Sequence, residues 1–434
     1  MITMPTQELT TVTTPKAVAE VPALSPWRAM WRTWASATRA VLPIFLVTRI
    51  VFVLLTYLGG VLFFVPNYWL GSLSLHDVLD TWYRWDSVQY ANIAMHGYTT
   101  LADAAFFPLY PVLERMLYLP FHQGILLIGM TISNLAFLGT LIVLYRLVET
   151  EFDRPTAYRS ALYLAIFPSA MFFFAAYNES LFLFFMLLSI YSLRRGAWWL
   201  AGLFGALATL TRSAGLFLVL VYLCEFARYH YTHFVTLWRT WRERMHLTMR
   251  SFAFLLKLLP ILCIPLALGL YAFALSVRFH DPLAFDHAQV HWRTSMTFPW
   301  TGPLIAFWTV LAESPFTFVT THDLIELTSL ALFLALLALC FVGPLRFRRD
   351  QWVFPLIGLC ILGVALIFPG IPRHGGLPYD PLPSTERFVL EVFAGFIMLA
   401  RLGRRNWFHQ GYLLISLPLL AFFTFQFMTG HWTV

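Results

Sequence analysis

Apolar residues fall along this chain in long runs separated by short charged turns. Runs of roughly 18 to 25 residues recur, long enough to cross a hydrocarbon core about 30 Å thick. The pattern predicts spans near 41–65, 124–145 and 157–176, a fourth ending at Arg194-Arg195, and others near 252–277, 323–344, 352–369, 386–400 and 411–428. Trp198 to Cys224 reads as two short crossings broken at Thr211-Arg212-Ser213. A single crossing would put Arg228, Arg239, Arg242, Arg244, Arg250 and Lys257 outside, against the bias of basic residues toward the cytoplasm. The stretch 301–321, interrupted by Pro303, Glu313 and Pro315, reads as a surface or re-entrant piece. The expectation is an all-α polytopic integral membrane protein with about eleven transmembrane helices.

Charge then orients the bundle. Arg28, Arg32 and Arg39 precede the first span, which places the N-terminus in the cytoplasm and residues 66–123 in a long extracytoplasmic loop with surface helices. Two regions are expected: a disordered cytoplasmic tail, 1–40, without a secretory signal, and a transmembrane unit, 41–434. The compact loops suggest a bacterial plasma membrane. The composition agrees, with 59% hydrophobic and 12% charged residues, and aromatics near the ends of the runs suit the headgroup zone. A net charge of +7 lies mostly in the turns between runs, so orientation explains it and nucleic-acid binding is excluded. Cys224, Cys263, Cys340 and Cys360 lack the spacing of a disulfide framework or a zinc site.

The distinctive polar residues collect on the outer side: Asp86, Glu179, Arg212, His287, Gln289, His291, Arg373, His374 and Arg387. Asp86 lies in Arg84-Trp85-Asp86-Ser87-Val88-Gln89-Tyr90, just past the first span. Its bland reading is a solvated carboxylate paired with Arg84; its functional reading is a general base screened from water by Trp85, Tyr90 and Phe106-Phe107-Pro108. Arg212, in apolar surroundings, needs a partner. Either Glu179 supplies it, or a phosphate does, since guanidinium offers a planar fork of donors. Arg387 and Arg373 present further positive charge, either for a phosphate or as interfacial arginines that meet a helix start or neighbouring carboxylates. His287, Gln289 and His291 lack a neighbouring Cys or a helical His pair, so hydrogen bonding to sugar or phosphate, or plain interfacial packing, outweighs metal binding. No cofactor is implied, although a divalent cation stays open. No phosphate-binding lysine loop, Gly-x-Ser-x-Gly elbow or His-Glu-x-x-His helix occurs, and no repeat of broken helices marks a transporter.

A set of motifs then resembles the PIG-V-type mannosyltransferases, a family that includes the enzyme adding the second mannose to the glycosylphosphatidylinositol precursor. The motifs are Trp85-Asp86-Ser87, Tyr90, Ile93-Ala94, Gly97-Tyr98, Phe106-Phe107-Pro108-Leu109-Tyr110-Pro111, Asn134, Phe167-Pro168-Ser169-Ala170, Tyr177-Asn178-Glu179-Ser180-Leu181-Phe182 and Thr211-Arg212-Ser213-Ala214-Gly215. The likeness is strongest over about 82–220 and thinner to about 400. It implies the C-type glycosyltransferase fold and a bacterial relative of the eukaryotic enzymes.

The resemblance further implies a hexose, most directly mannose, carried on a polyprenyl or dolichyl phosphate and moved to a hydroxyl of a lipid or glycan acceptor among the membrane lipids. Asp86 would take the proton and the anomeric configuration would invert. Arg212, Arg387 and Arg373 would hold the donor phosphate. Trp85, Tyr90, Tyr110, Tyr177, Glu179, His287, Gln289 and His291 would bind substrate. The alternative is a lipid-linked sugar flippase or transporter, whose site would lie nearer the bilayer midplane.

Overall fold

Apolar runs of helical length build a helical bundle in the computed structural model, which describes residues 26–65, 71–120, 122, 124–231, 256–370 and 380–431. Among these residues there is no β-strand, only an isolated antiparallel bridge between Arg293 and Gly370. Six segments are long and apolar enough to cross a membrane: Met30–Phe64, Ile125–Glu151, Leu259–Phe279, Phe318–Phe341, Arg349–Ile367 and Asn406–Met428. Trp198–Thr211, Thr301–Ala312 and Phe393–Leu402 are shorter apolar helices. The protein is thus an all-α polytopic membrane protein. Between the first two long segments lie Leu75–Asp80, Asp86–His96 and Leu109–Tyr118, the short helices expected of the first loop.

Three details differ from the sequence pattern. The first helix starts at Pro26, not near 41, and runs to Gly59 before a π turn, Gly60–Phe64. Trp34 meets Tyr191 edge-on at 5.4 Å, and Ala37 and Val41 are fully buried, so tertiary packing recruits the basic lead-in to the helix. The expected span 157–176 is broken: its helix is Arg154–Ala165, and a 3₁₀ turn, Ala170–Phe173, follows. Pro168 lacks an N–H, and the residue before a proline is pushed out of the α region. The expected span 386–400 is likewise divided into Thr385–Phe388, a 3₁₀ turn Val389–Glu391 and Phe393–Leu402.

The break at Arg212 is present as expected. Trp198–Thr211 ends there, Arg212 is extended (φ −154°, ψ 145°), and a new helix runs from Leu218 to Tyr229. Asn178 Nδ2 donates to the Thr211 carbonyl at 2.9 Å and so satisfies an orphan acceptor of the helix end. Gly215 is required by close approach: a Cβ there would sit 2.4 Å from the Thr209 nitrogen.

Glu179–Arg194 joins the two charged poles of the bundle. At its start Glu179 pairs with Arg212 and Arg387. At its end Arg194 pairs with Glu151, Glu225 and Asp350 at 2.7, 3.0 and 3.0 Å. A helix of 16 residues is about 24 Å long at 1.5 Å per residue, so the two clusters stand nearly a hydrocarbon thickness apart.

Other motif residues also position the Glu179 pole. Ser133 Oγ donates to the Tyr177 carbonyl at 2.7 Å, Asn134 Nδ2 donates to the Phe174 carbonyl at 3.0 Å, and Arg49 donates to Asn134 Oδ1 at 2.7 Å. Ser169 Oγ donates to the Glu386 carbonyl at 2.6 Å and ties the Phe-Pro-Ser turn to the short helix bearing Arg387. Two non-glycine residues with positive φ precede the key side chains: Trp85 (φ 45°) before Asp86, and Ser384 (φ 66°, ψ 24°) at the start of Thr385–Phe388. Such residues cost about 1–3 kcal/mol each and persist where the surroundings over-determine them. Ser384→Val, which adds a β-branch in the left-handed region, is expected to lower stability by about 1–2 kcal/mol. Ser384→Gly should stay within about 1 kcal/mol of wild type. Thermal unfolding of the detergent-solubilised protein checks both; equal melting temperatures for the two variants would refute the backbone argument.

Candidate active site

At the pole that carries Asp86 a cavity of about 640 Å³ opens between the first-loop helices and the segments around Arg212, Arg293 and Arg387. Asp86 begins the helix Asp86–His96 and lines this cavity with a quarter of its side chain exposed. Its partner is Arg387, whose Nη1 lies 2.6 Å from Asp86 Oδ2. Arg84, the partner considered from sequence, donates instead to the Met428 carbonyl at 3.2 Å. Ser87 Oγ accepts from the Arg84 backbone N–H at 2.8 Å and donates to the Arg84 carbonyl at 2.7 Å, which fixes the turn entering the helix.

Behind this pair lies Glu179, fully buried. Its Oε1 accepts from Arg387 Nε and, at 2.9 Å, from Arg212 Nη1. Arg212 Nη1 also stands 2.6 Å from Glu391 Oε1, an ion pair without hydrogen-bond alignment, and its guanidinium lies over the Phe388 ring at 5.0 Å. Arg387 is held over the Tyr177 ring at 4.7 Å. Arg212 is salt-bridged to Glu179, one of the partners considered from sequence, and it also lines the cavity. Glu179 does not line the cavity; it supports the arginines from behind.

Trp85, Tyr90, Tyr177, Gln289 and His291 complete the cavity wall, with Phe106, Trp292, Ile361, Val364 and Phe368 as its apolar part. Tyr90 packs on Phe106 and Tyr110 at 5.3 and 4.8 Å, and burial, with Asp86 beside it, pushes its hydroxyl well above the ordinary phenol range. It stays neutral and available for hydrogen bonding. Tyr110 is fully buried outside the cavity, bonded to the Gly129 carbonyl and Ser133 at 2.8 Å, so its role is to brace the site. His287 also stands apart. It pairs with Asp281 at 2.7 Å on the exposed side of the loop, and that hydrogen bond raises its pKa. Arg373, with His374, lies outside the described residues.

Arg293 was not among the residues singled out from sequence. It lines the cavity, donates from Nη1 to the Phe368 carbonyl at 2.8 Å, lies over the Phe388 ring at 5.2 Å, and has no carboxylate within ion-pair distance among the described residues. Burial lowers its pKa to about 10, so it keeps its charge at neutral pH. The available signal was its place next to His291-Trp292. With the three arginines on one wall and Asp86 beside them, the cavity can receive an anionic group and take a proton from a neutral one.

The family profile described as Mannosyltransferase (PIG-V) matches residues 57–292. GPI mannosyltransferase 2 of Drosophila pseudoobscura pseudoobscura is 35% identical over 129 residues, 27% of this chain and 28% of that protein. GPI alpha-1,6-mannosyltransferase 2 of Cricetulus griseus is 32% identical over 143 residues, 31% of this chain and 29% of that protein. The matched stretches thus span less than a third of these curated relatives. Among solved structures, ArnT from Cupriavidus metallidurans bound to undecaprenyl phosphate is similar, with a TM-score of 0.47 and 14% identity over 89% of this chain and 76% of that one. AglB from Archaeoglobus fulgidus, in complex with an inhibitory peptide and a dolichol-phosphate, has a TM-score of 0.41 and 12% identity, covering 94% of this chain and 56% of that one. With the Asp86, Glu179 and Arg212 motifs all inside the matched range, and that range more than half of the chain, this protein belongs to the PIG-V mannosyltransferase family.

Proposed function

We propose that this protein is a C-type glycosyltransferase that moves mannose from a polyprenyl-phosphate or dolichyl-phosphate donor to a hydroxyl of a lipid or glycan acceptor. The observation that carries the reading is the joint lining of one cavity by Asp86 and by Arg212, Arg293 and Arg387, next to an apolar wall of Ile361, Val364 and Phe368. A lipid phosphate needs that combination: guanidinium forks for its oxygens and apolar surface for its chain.

In the proposed reaction Asp86 accepts the proton of the acceptor hydroxyl as the oxygen attacks the anomeric carbon. The bond from that carbon to the phosphate oxygen breaks, and polyprenyl phosphate leaves with the electron pair. One displacement inverts the configuration. The arginines meet charge that develops on the departing phosphate, the kind of preorganised electrostatic stabilisation that is often the largest catalytic contribution. Arg387 touches both centres, with Nη1 on Asp86 and Nε on Glu179, so it couples the position of the base to that of the leaving group. Trp85, Tyr177, Gln289 and His291 offer rings and hydrogen-bonding groups to sugar and acceptor.

The basic residues support an extracytoplasmic site, with the N-terminus in the cytoplasm. Arg146, Arg154, Arg194, Arg348 and Arg404 form ion pairs at the pole opposite Asp86, where positive residues favour the cytoplasmic side.

Asp86→Asn is expected to lower turnover of polyprenyl-phosphate mannose about 10² to 10⁴-fold, while melting temperature and donor binding hold. Unchanged turnover would discard Asp86 as base. Intact donor crossing proteoliposomes with no release of polyprenyl phosphate by the wild type would instead support a transporter. Arg293 and Arg212 should separate. Arg293→Ala should weaken polyprenyl-phosphate binding about 10- to 100-fold, the worth of one charged hydrogen-bonding group, with partial rescue by Lys. Arg212→Ala should destabilise the fold by about 3–5 kcal/mol, because it strips a cation from buried Glu179 and Glu391. Binding titrations and thermal unfolding read the two effects; a stable Arg212→Ala protein with donor affinity intact would refute the assignment.

A further inference from the structure

A second buried polar group adjoins the cavity, which Asp380 lines. It joins the first turns of Phe318–Phe341 to the segment entering Thr385–Phe388. His322, Asp323 and Asp380 are 8%, 1% and 6% exposed, and one ligand atom from each lies within 4.8 Å of the others. Glu326, one turn along the same helix, and Glu386 are also buried, and the Glu386 backbone N–H donates to Glu326 Oε2 at 3.1 Å. Four carboxylates and an imidazole thus share a small interior volume, with Arg293 as the arginine whose charge acts on Asp380 and Glu326.

The spacing and burial of these groups suit a cation. Asp323 Oδ2, Glu326 Oε1 and His322 Nε2 are buried and make no hydrogen bond of normal geometry among the described residues, although Thr309 lies beside Asp323 and the Glu386 side chain beside Glu326. Buried carboxylates without compensation are costly, and they occur where charges are paired or coordinate metals. Asp380 is held in place by its own turn, the Leu382 N–H donating to Oδ1 at 3.0 Å. Ligand bonds of about 2.0–2.2 Å allow two donors on one ion to stand as much as about 4.4 Å apart, so a closure of a few tenths of an ångström would complete the site.

We propose that His322, Asp323 and Asp380 bind one divalent transition-metal ion of the manganese or zinc type, with Glu326 and Glu386 around it. One imidazole and two carboxylates suit those ions better than magnesium, which favours an all-oxygen shell and keeps its waters. The ion pins the segment that carries Ser384 and Arg387 to the Phe318–Phe341 helix. These three residues are positioning residues: they act on the cavity through the place of Arg387. Because metal is read directly, the proposal stands or falls separately from the mannosyl-transfer reading.

The test uses the full chain in detergent, stripped with a chelator and titrated with Mn²⁺ or Zn²⁺. Expected are one ion per chain by elemental analysis, an altered Mn²⁺ paramagnetic resonance spectrum, and a higher melting temperature with metal. Asp323→Asn combined with Asp380→Asn should weaken binding by about 100-fold or more, and the milder His322→Gln by about 10-fold or more. Asp86→Asn should bind the ion as wild type does. A wild-type protein that takes up no stoichiometric ion after stripping and reloading would overturn the proposal, as would wild-type affinity in His322→Gln or in the double variant.

Discussion

One buried carboxylate, Glu179, organises the Asp86 half of this molecule. It has no exposed surface, and an isolated ionised carboxylate in such a place costs far more than a single hydrogen bond returns. Two arginines from distant parts of the chain solve that problem on the same oxygen: Arg212 from the end of Trp198–Thr211, and Arg387 from a short helix near the C-terminal spans. Arg387 then reaches Asp86 of the first loop. Three regions far apart in sequence are fixed to one another through one side chain, and the cavity is the space they leave.

The membrane shapes everything around that centre. Hydrocarbon accepts neither loose backbone nor unpaired charge, so broken helices and ion pairs are confined to the ends of the bundle or to protein interior. The arrangement follows this rule at both ends of Glu179–Arg194. One end holds the Asp86, Glu179, Arg212 and Arg387 network; the other holds Arg194 with Glu151, Glu225 and Asp350. Where the chain must turn irregularly near the site, short polar side chains meet the freed backbone groups: Asn178 on Thr211, Ser133 on Tyr177 and Ser169 on Glu386. Their task in the motifs is to hold carbonyls and thereby aim the charged residues.

The site also shows how a loop carboxylate gains chemical value from its setting. Asp86 follows a residue held at positive φ, sits over a buried tyrosine cluster, and shares a cavity with three guanidinium groups. Ser384 begins the short helix three residues before Arg387, so positive-φ backbone precedes both partners of the central ion pair. The geometry is held by packing from outside, with Trp85 against Phe427 at 5.0 Å and Phe106 against Trp292 at 5.6 Å.

Hydrophobic run length alone determined that this is a helical membrane protein, and the Asp86, Glu179 and Arg212 motifs alone located its polar centre, because both signals are local. The break at Arg212 was legible too, since a single crossing would have reversed the charge pattern. The sequence was silent on what is non-local. It could not tell that Arg387, and not Arg84, faces Asp86, that Arg293 enters the cavity, that His287 turns away to Asp281, or that His322, Asp323 and Asp380 converge. Those pairings were decided by the tertiary structure, because a buried charge selects its partner by proximity in the packed interior, where separation along the chain carries no weight.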